Sequence, residues 1–169
     1  MGKTTTVINL SASLAQKNKK CLVIDLDPQG NATTGLGKSN NDEKNNIYNI
    51  LIGNLNIKNG VQKSSIKNLD IIGSNVNLSG LEVETANDQN RAFLLKKIIG
   101  EKKDFLSENY DYIFIDCPPS LSLLTIMALV SSDEILVPLQ TEFFALEGIT
   151  QLVKTIDRIK VSLNPKLNL

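Results

Sequence analysis

Apolar positions along this chain follow two patterns. Short, mostly apolar runs at Cys21-Leu22-Val23-Ile24, Leu69-Asp70-Ile71-Ile72, Tyr112-Ile113-Phe114-Ile115 and Glu134-Ile135-Leu136-Val137 predict strands, and near-continuous runs suit strands covered on both faces. Between them the apolar spacing becomes helical. Val7, Leu10, Leu14 and Ala15 predict a helix from about Thr4 to Asn18, closed by the cations Lys17 to Lys20 as the helix dipole prefers. Ile47–Ile52 reads as a short helix. Asn90 to about Phe105 reads as a longer one, with Phe93, Leu94, Ile98 and Ile99 on one side. Leu121–Val130 is helical. From Phe144 onward, Leu146, Ile149, Leu152, Val153, Ile156 and Ile159 make an amphipathic helix with Lys154, Arg158 and Lys160 outward. Asn31–Asn46 is rich in Gly, Asn, Ser and Thr and reads as loop. Asn54–Lys67 has no dominant period.

Strands alternating with helices define an α/β fold, a doubly wound and mostly parallel sheet in one domain over residues 1–169. The alternation predicts one more strand after the last helix, and none precedes the first helix, so both ends read as cut.

At 169 residues the chain is long enough for one domain; a domain of this size buries roughly 70% of its unfolded surface. Eighteen basic and eighteen acidic residues cancel, which gives no global electrostatic case for nucleic-acid or membrane binding. Histidine is absent, so no imidazole serves as base or ligand. Cys21 and Cys117 lack metal or redox spacing and read as reduced, buried thiols. No apolar stretch reaches the roughly 18 residues of a membrane span. The N-terminus matches a myristoylation pattern, but phosphate binding explains its Gly and Thr better.

Three stretches carry chemistry. Gly2-Lys3-Thr4-Thr5, opening a helix, is the back half of a phosphate-binding loop. In such a loop backbone N–H groups wrap phosphate, the lysine reaches the β- and γ-phosphates, and the first hydroxyl residue binds Mg²⁺. Asp116 ends an apolar run, where α/β sheets bind ligands and where a carboxylate supports Mg²⁺. Pro118-Pro119 stiffens the exit from that run. Asp25-Leu26-Asp27-Pro28-Gln29-Gly30-Asn31 places two carboxylates on the same side of a strand end, where one could position water. Taken alone, it would read as a turn built from Asp, Pro, Gly and Asn.

In order and spacing these stretches resemble the ParA/Soj group of deviant Walker A ATPases, which partition chromosomes and plasmids. The resemblance rests on Gly2 to Thr6 with Asn9-Leu10, on Asp25 to Thr33, and on Tyr110 to Leu121. Pro138-Leu139-Gln140 and Phe144-Ala145-Leu146-Glu147-Gly148 extend it. It covers nearly the whole chain, weakest between Lys38 and Ser65. The D-x-D-P-Q-G-N block separates the sequence from the MinD branch.

The resemblance implies ATP and Mg²⁺ held by Gly2, Lys3, Thr4 and Thr5, with Asp116 supporting the metal together with Thr4. It implies catalytic roles for Lys3 and for Asp27, which would position water. Asp25 and Pro118 would be supporting members beside the nucleotide. It further implies an ATP-dependent homodimer, nonspecific DNA binding mainly through a part beyond Leu169, a ParB-type centromere-binding partner, and a cytoplasmic, nucleoid-associated protein without membrane attachment. Three departures stand against full transfer. Met1 occupies the place of Val in the family's K-G-G-V-G-K-T-T loop, so the lysine that reaches across the dimer is absent. The family continues beyond Leu169. Met127 stands where relatives usually carry Asn, an expected packing change. Two alternatives follow: a fragment without ATPase activity, or a relative that positions another cargo.

Overall fold

The computed structural model describes residues 2–139 and 145–169, with side chains of the last helix described from Leu152 onward. In chain order the elements are α1 (Lys3–Gln16), β1 (Cys21–Asp25), α2 (Asn31–Gly35), α3 (Ile47–Leu51), α4 (Ile57–Gly60), β2 (Gln62–Lys63), β3 (Leu69–Ile72), α5 (Leu81–Glu84), α6 (Leu94–Glu101), α7 (Lys103–Asn109), β4 (Tyr112–Asp116), α8 (Leu123–Ser131) and α9 (Ala145–Ser162). Short 3₁₀ turns precede α5 and α6, at Val76–Gly80 and Arg91–Phe93.

The sheet runs β2-β3-β1-β4. β1 pairs in parallel with both β3 and β4, and the short β2 pairs antiparallel with β3. Side chains of β1 alternate between two cores, as a strand buried on both faces requires. Leu22 and Ile24 join Ile72, Leu95, Leu123 and Met127 on one face. Cys21 and Val23 join Ala15, Ala32, Leu69 and Ile71 on the other, under α1 and α2. The doubly wound architecture read from the sequence is therefore present. Met127 is fully buried, in keeping with a gap-filling role.

α1 ends where Asn18 adopts a φ of 60° and the N–H groups of Lys17, Asn18 and Lys19 cap the carbonyls of Leu14 and Ala15. Lys17 to Lys20 thus lie beyond the last turn rather than in it. The inward stripe of α1 centres on Ile8, Ser11 and Ala15, while Leu10 is 37% exposed and does not join the core.

Several other expectations change. The predicted loop at Asn31–Asn46 opens with α2, and the aperiodic Asn54–Lys67 stretch contains α4 and β2. The single helix expected over Asn90 to Phe105 is a 3₁₀ turn and two helices divided at Lys102, whose φ of −118° breaks the helical path. Its fully buried residue is Leu95, with Leu94, Ile98 and Ile99 packed partly against the core. β4 is half-buried rather than enclosed: Tyr112 is 45% exposed, and among the described residues the strand pairs only with β1.

Glu134–Val137 forms no strand. It makes a single parallel bridge from Glu134 to Asn168, with Ile135 N–H donating to Asn168 O at 2.9 Å. An apolar run becomes a strand only when its backbone groups find a partner strand, and among the described residues this run pairs with none of β1 to β4. α9 reaches the rest of the fold through α8, where Ile156 and Ile159 pack with Leu129, Val130 and Leu167. Lys154 and Arg158 face outward, and Lys160 is half-buried. The readings at Met1, at Gln140–Phe144 and for the side chains of Leu146 and Ile149 lie outside the described residues.

Candidate functional site

Asp25 and Asp116 close β1 and β4 in register with each other, at the C-terminal edge of the sheet. Asp25 is fully buried and accepts three hydrogen bonds. Oδ1 takes the Asp27 N–H at 3.0 Å; Oδ2 takes the Thr33 N–H at 2.8 Å and the Thr33 hydroxyl at 2.7 Å. Burial pushes the Asp25 carboxyl up to about 6; the Thr33 and Asp27 donors oppose that shift, and the neighbouring Asp116 charge adds to it.

Asp27 follows the strand and is nearly buried, and its Oδ1 accepts the Gln29 N–H at 3.0 Å. The chain then turns through Gly30, whose φ of 64° starts α2. A Cβ there would lie 2.7 Å from the Asn40 Cβ, so glycine is needed for space as well as for backbone angle. The turn brings Thr33 back onto Asp25, and the Ser74 N–H at the end of β3 donates to the same Thr33 hydroxyl at 2.9 Å. Thr33 thus ties β1, α2 and β3 into one frame.

Asp116 is 1% exposed. Its Oδ1 accepts the Cys117 N–H at 3.1 Å, whereas Oδ2 is buried without a hydrogen-bond partner. Burial raises its pKa; the Thr4 hydroxyl, the Cys117 N–H and the Lys3 charge pull it down, and Asp27 pushes it up. Thr4 therefore lies beside Asp116 without satisfying Oδ2. The next thiol, Cys117, is pushed up to about 12 by burial and is no nucleophile at neutral pH.

Gly2 adopts a φ of 97° as it leads into α1 and makes no side-chain cap. The Thr6 N–H returns to Gly2 O at 2.9 Å, and among the described residues the N–H groups of Lys3, Thr4 and Thr5 meet no backbone acceptor. The N–H groups of the first turn are therefore free to bind an anion, with the helix dipole behind them. Lys3 and Thr4 are half-buried there, and Thr5 is exposed. The structure accordingly brings Lys3, Thr4, Asp25, Asp27 and Asp116 together. Pro118, two residues after Asp116, is buried and lines a cleft of about 160 Å³ with Pro28, Leu78 and Leu124. Thr33, which holds Asp25, and Ser74, which holds Thr33, have no role in the sequence reading, because their contacts form across the fold.

The site suits a single-carboxylate magnesium centre. An orphaned carboxylate oxygen beside a threonine hydroxyl and an anion-binding helix start fits a hydrated ion shared with phosphate rather than an all-protein cage. Among the described residues no cluster of three or more acidic or thiol side chains forms such a cage.

Strand-end carboxylates facing a Gly-Lys-Thr helix start, on a doubly wound parallel sheet, define an α/β protein of the P-loop nucleotide-binding type. The AAA domain family matches residues 1–169, and the chain belongs to that family. It is 42% identical over all 169 residues to the chromosome partitioning protein ParA of Caulobacter vibrioides, covering 62% of that protein. The chain thus spans about three fifths of the length of the curated relatives it matches. Cobyrinic acid a,c-diamide synthase from Mycobacterium smegmatis, solved with ADP and magnesium, superposes with a TM-score of 0.92 at 31% identity, over 99% of this chain and 66% of that one. A plasmid partition protein from Borrelia burgdorferi superposes at 0.79 with 33% identity, over 99% of this chain and 70% of that one. The resemblance to the ParA/Soj group holds along the whole sequence.

Proposed function

We propose that this chain carries the nucleotide site of a ParA-type partition ATPase. The observation that carries the reading is the buried, unpartnered Asp116 Oδ2 beside Thr4 and Lys3 at the start of α1. Lys3 and the N–H groups after Gly2 would hold the phosphates of ATP, with Thr5 at the outer rim. Thr4 and Asp116 would hold Mg²⁺. That ion, when bound, neutralises charge on the β- and γ-phosphate oxygens. Asp27 would orient the attacking water, and Asp25, fixed by Thr33, would keep the Asp27 backbone in place through its N–H. Pro118, two residues after Asp116 and in one cleft with Pro28, would be a supporting contact beside the nucleotide.

The relatives named for chromosome and plasmid partition support the segregation role. The wider reading adds an ATP-dependent homodimer, nonspecific DNA contact, a ParB-type partner and action on the nucleoid. The test is Asp27→Ala in a form of the protein carrying a family-like first strand and the K-G-G-V segment. ATP binding should be kept while turnover falls about 100-fold. Normal turnover would remove Asp27 from the mechanism. One observation favours the alternative that these 169 residues alone do not hydrolyse ATP: among the described residues, the outer edge of β4 next to the site has no ladder partner.

A further inference from the structure

A cleft of about 370 Å³ opens at the opposite end of the sheet, where β1 and β3 begin and α7 ends. Lys20, Lys63, Lys67, Asn68 and Tyr110 surround Asp70 there. Asp70 is 5% exposed, an acid at a strand position that otherwise buries apolar side chains. Its Oδ2 accepts both the Lys63 ammonium and the Tyr110 hydroxyl, each at 2.8 Å. A buried carboxylate is costly unless paired in this way, and the pairing fixes Lys63 at the rim.

The other two lysines stand on equally fixed backbone. The Lys20 N–H donates to the Asp111 carboxylate at 2.7 Å, and its carbonyl accepts the N–H groups of Asp111 and Tyr112 at 2.8 and 3.2 Å. Lys67 sits in a turn that the Ser64 hydroxyl closes on both sides of Ile66. Asn68 completes the turn with a φ of 66° and donates to Ala15 O at 3.3 Å. Among the described residues the ion pairs are Lys63–Asp70 and Lys97–Glu101, which leaves the Lys20 and Lys67 ammoniums without an acid. Three lysines at the recess, set against the carboxylates of Asp70 and of Asp111 on the Lys20 backbone, leave it with an excess of positive charge in a chain whose charges cancel overall.

We propose that this recess binds the phosphate group of a small phosphorylated molecule. Its volume lies in the range of small-molecule sites. Lysine ammoniums recognise phosphate as point charges, and Asn68 and Tyr110 add polar surface. The recess is distinct from the helix start at Gly2, so the proposal stands independently of the ATPase reading.

The test is calorimetric titration of the 169-residue chain with pyrophosphate at low ionic strength, in a Lys3→Ala background that silences the other anion site. One pyrophosphate per chain should bind. The pair Lys20→Ala and Lys67→Ala should weaken it about tenfold or more, while Lys20→Arg with Lys67→Arg keeps it. Lys17→Ala with Lys19→Ala, outside the recess, should leave the affinity unchanged, and unchanged melting temperatures would show all variants folded. AMP should compete with pyrophosphate. Absence of binding in the Lys3→Ala chain overturns the proposal, as does equal loss in the Lys17 and Lys19 variant. If a short DNA duplex binds at these lysines and AMP does not, the recess is a nucleic-acid contact and the small-molecule proposal fails.

Discussion

Thr33→Val tests the frame around Asp25. Valine matches threonine in shape, and the site is 1% exposed, so no cavity forms. The substitution removes the 2.7 Å hydroxyl bond to Asp25 and strands the Ser74 N–H, which loses its 2.9 Å acceptor. A hydrogen bond to a charged group contributes about 1.5–3 kcal/mol and an abandoned buried donor costs about 1–3 kcal/mol, which together give about 2.5–6 kcal/mol. That is a large part of a domain stability of about 5–15 kcal/mol. The loss should depend on pH. The folded Asp25 carboxyl, raised from 3.8 to about 6, holds its proton more tightly than the unfolded one. Its contribution to stability is therefore full below the unfolded pKa and is lost as pH rises through the folded value. Removing a donor that favours the ionised form raises the folded value further. Thr33→Val should then cost more at about pH 7.5 than at about pH 5. Urea unfolding at the two pH values measures both effects, and Thr33→Ser should restore most of the loss. A loss below about 1 kcal/mol, or one equal at both pH values, refutes the reasoning.

Asp116→Asn discharges a buried, half-satisfied carboxylate and should stabilise the ligand-free chain by about 1–2 kcal/mol near neutral pH, read as a higher urea midpoint. The same variant should lose the magnesium dependence of nucleotide binding; destabilisation instead would mean that the charge is balanced in the folded chain. Gly30→Ala forces a side chain onto a φ of 64° and against Asn40, and should cost about 1–2 kcal/mol. An unchanged midpoint would show that the turn into α2 is not fixed.

The strands β1, β3 and β4 were legible because their apolar runs are short and alternate with segments of helical spacing, although β4 turns out half-buried rather than enclosed. The carboxylates at their ends were legible because a charge after an apolar run lies at the sheet's edge. α2 was not legible: Asn, Thr and Gly are weak helix formers, and the helix stands on the Thr33–Asp25 bonds across eight residues. The division at Lys102 escaped because periodicity carries across a one-residue break. Glu134–Val137 shows the limit of apolar runs, which mark burial but not a pairing partner. Asp70 was read only as part of a strand, because its partners Lys63 and Tyr110 come together through the sheet and not through local sequence.

The central claim is that the helix start at Gly2 and the free oxygen of Asp116 together form a phosphate and magnesium site. Titration of a fluorescent ATP analogue, with and without Mg²⁺, tests it most directly. It should be run on the 169-residue chain and on a form extended by a family-like strand and K-G-G-V. Saturable, magnesium-dependent binding is expected in the extended form, with Lys3→Ala and Asp116→Ala each weakening it at least about tenfold. Binding indifferent to both substitutions, or no binding in either form, would contradict it.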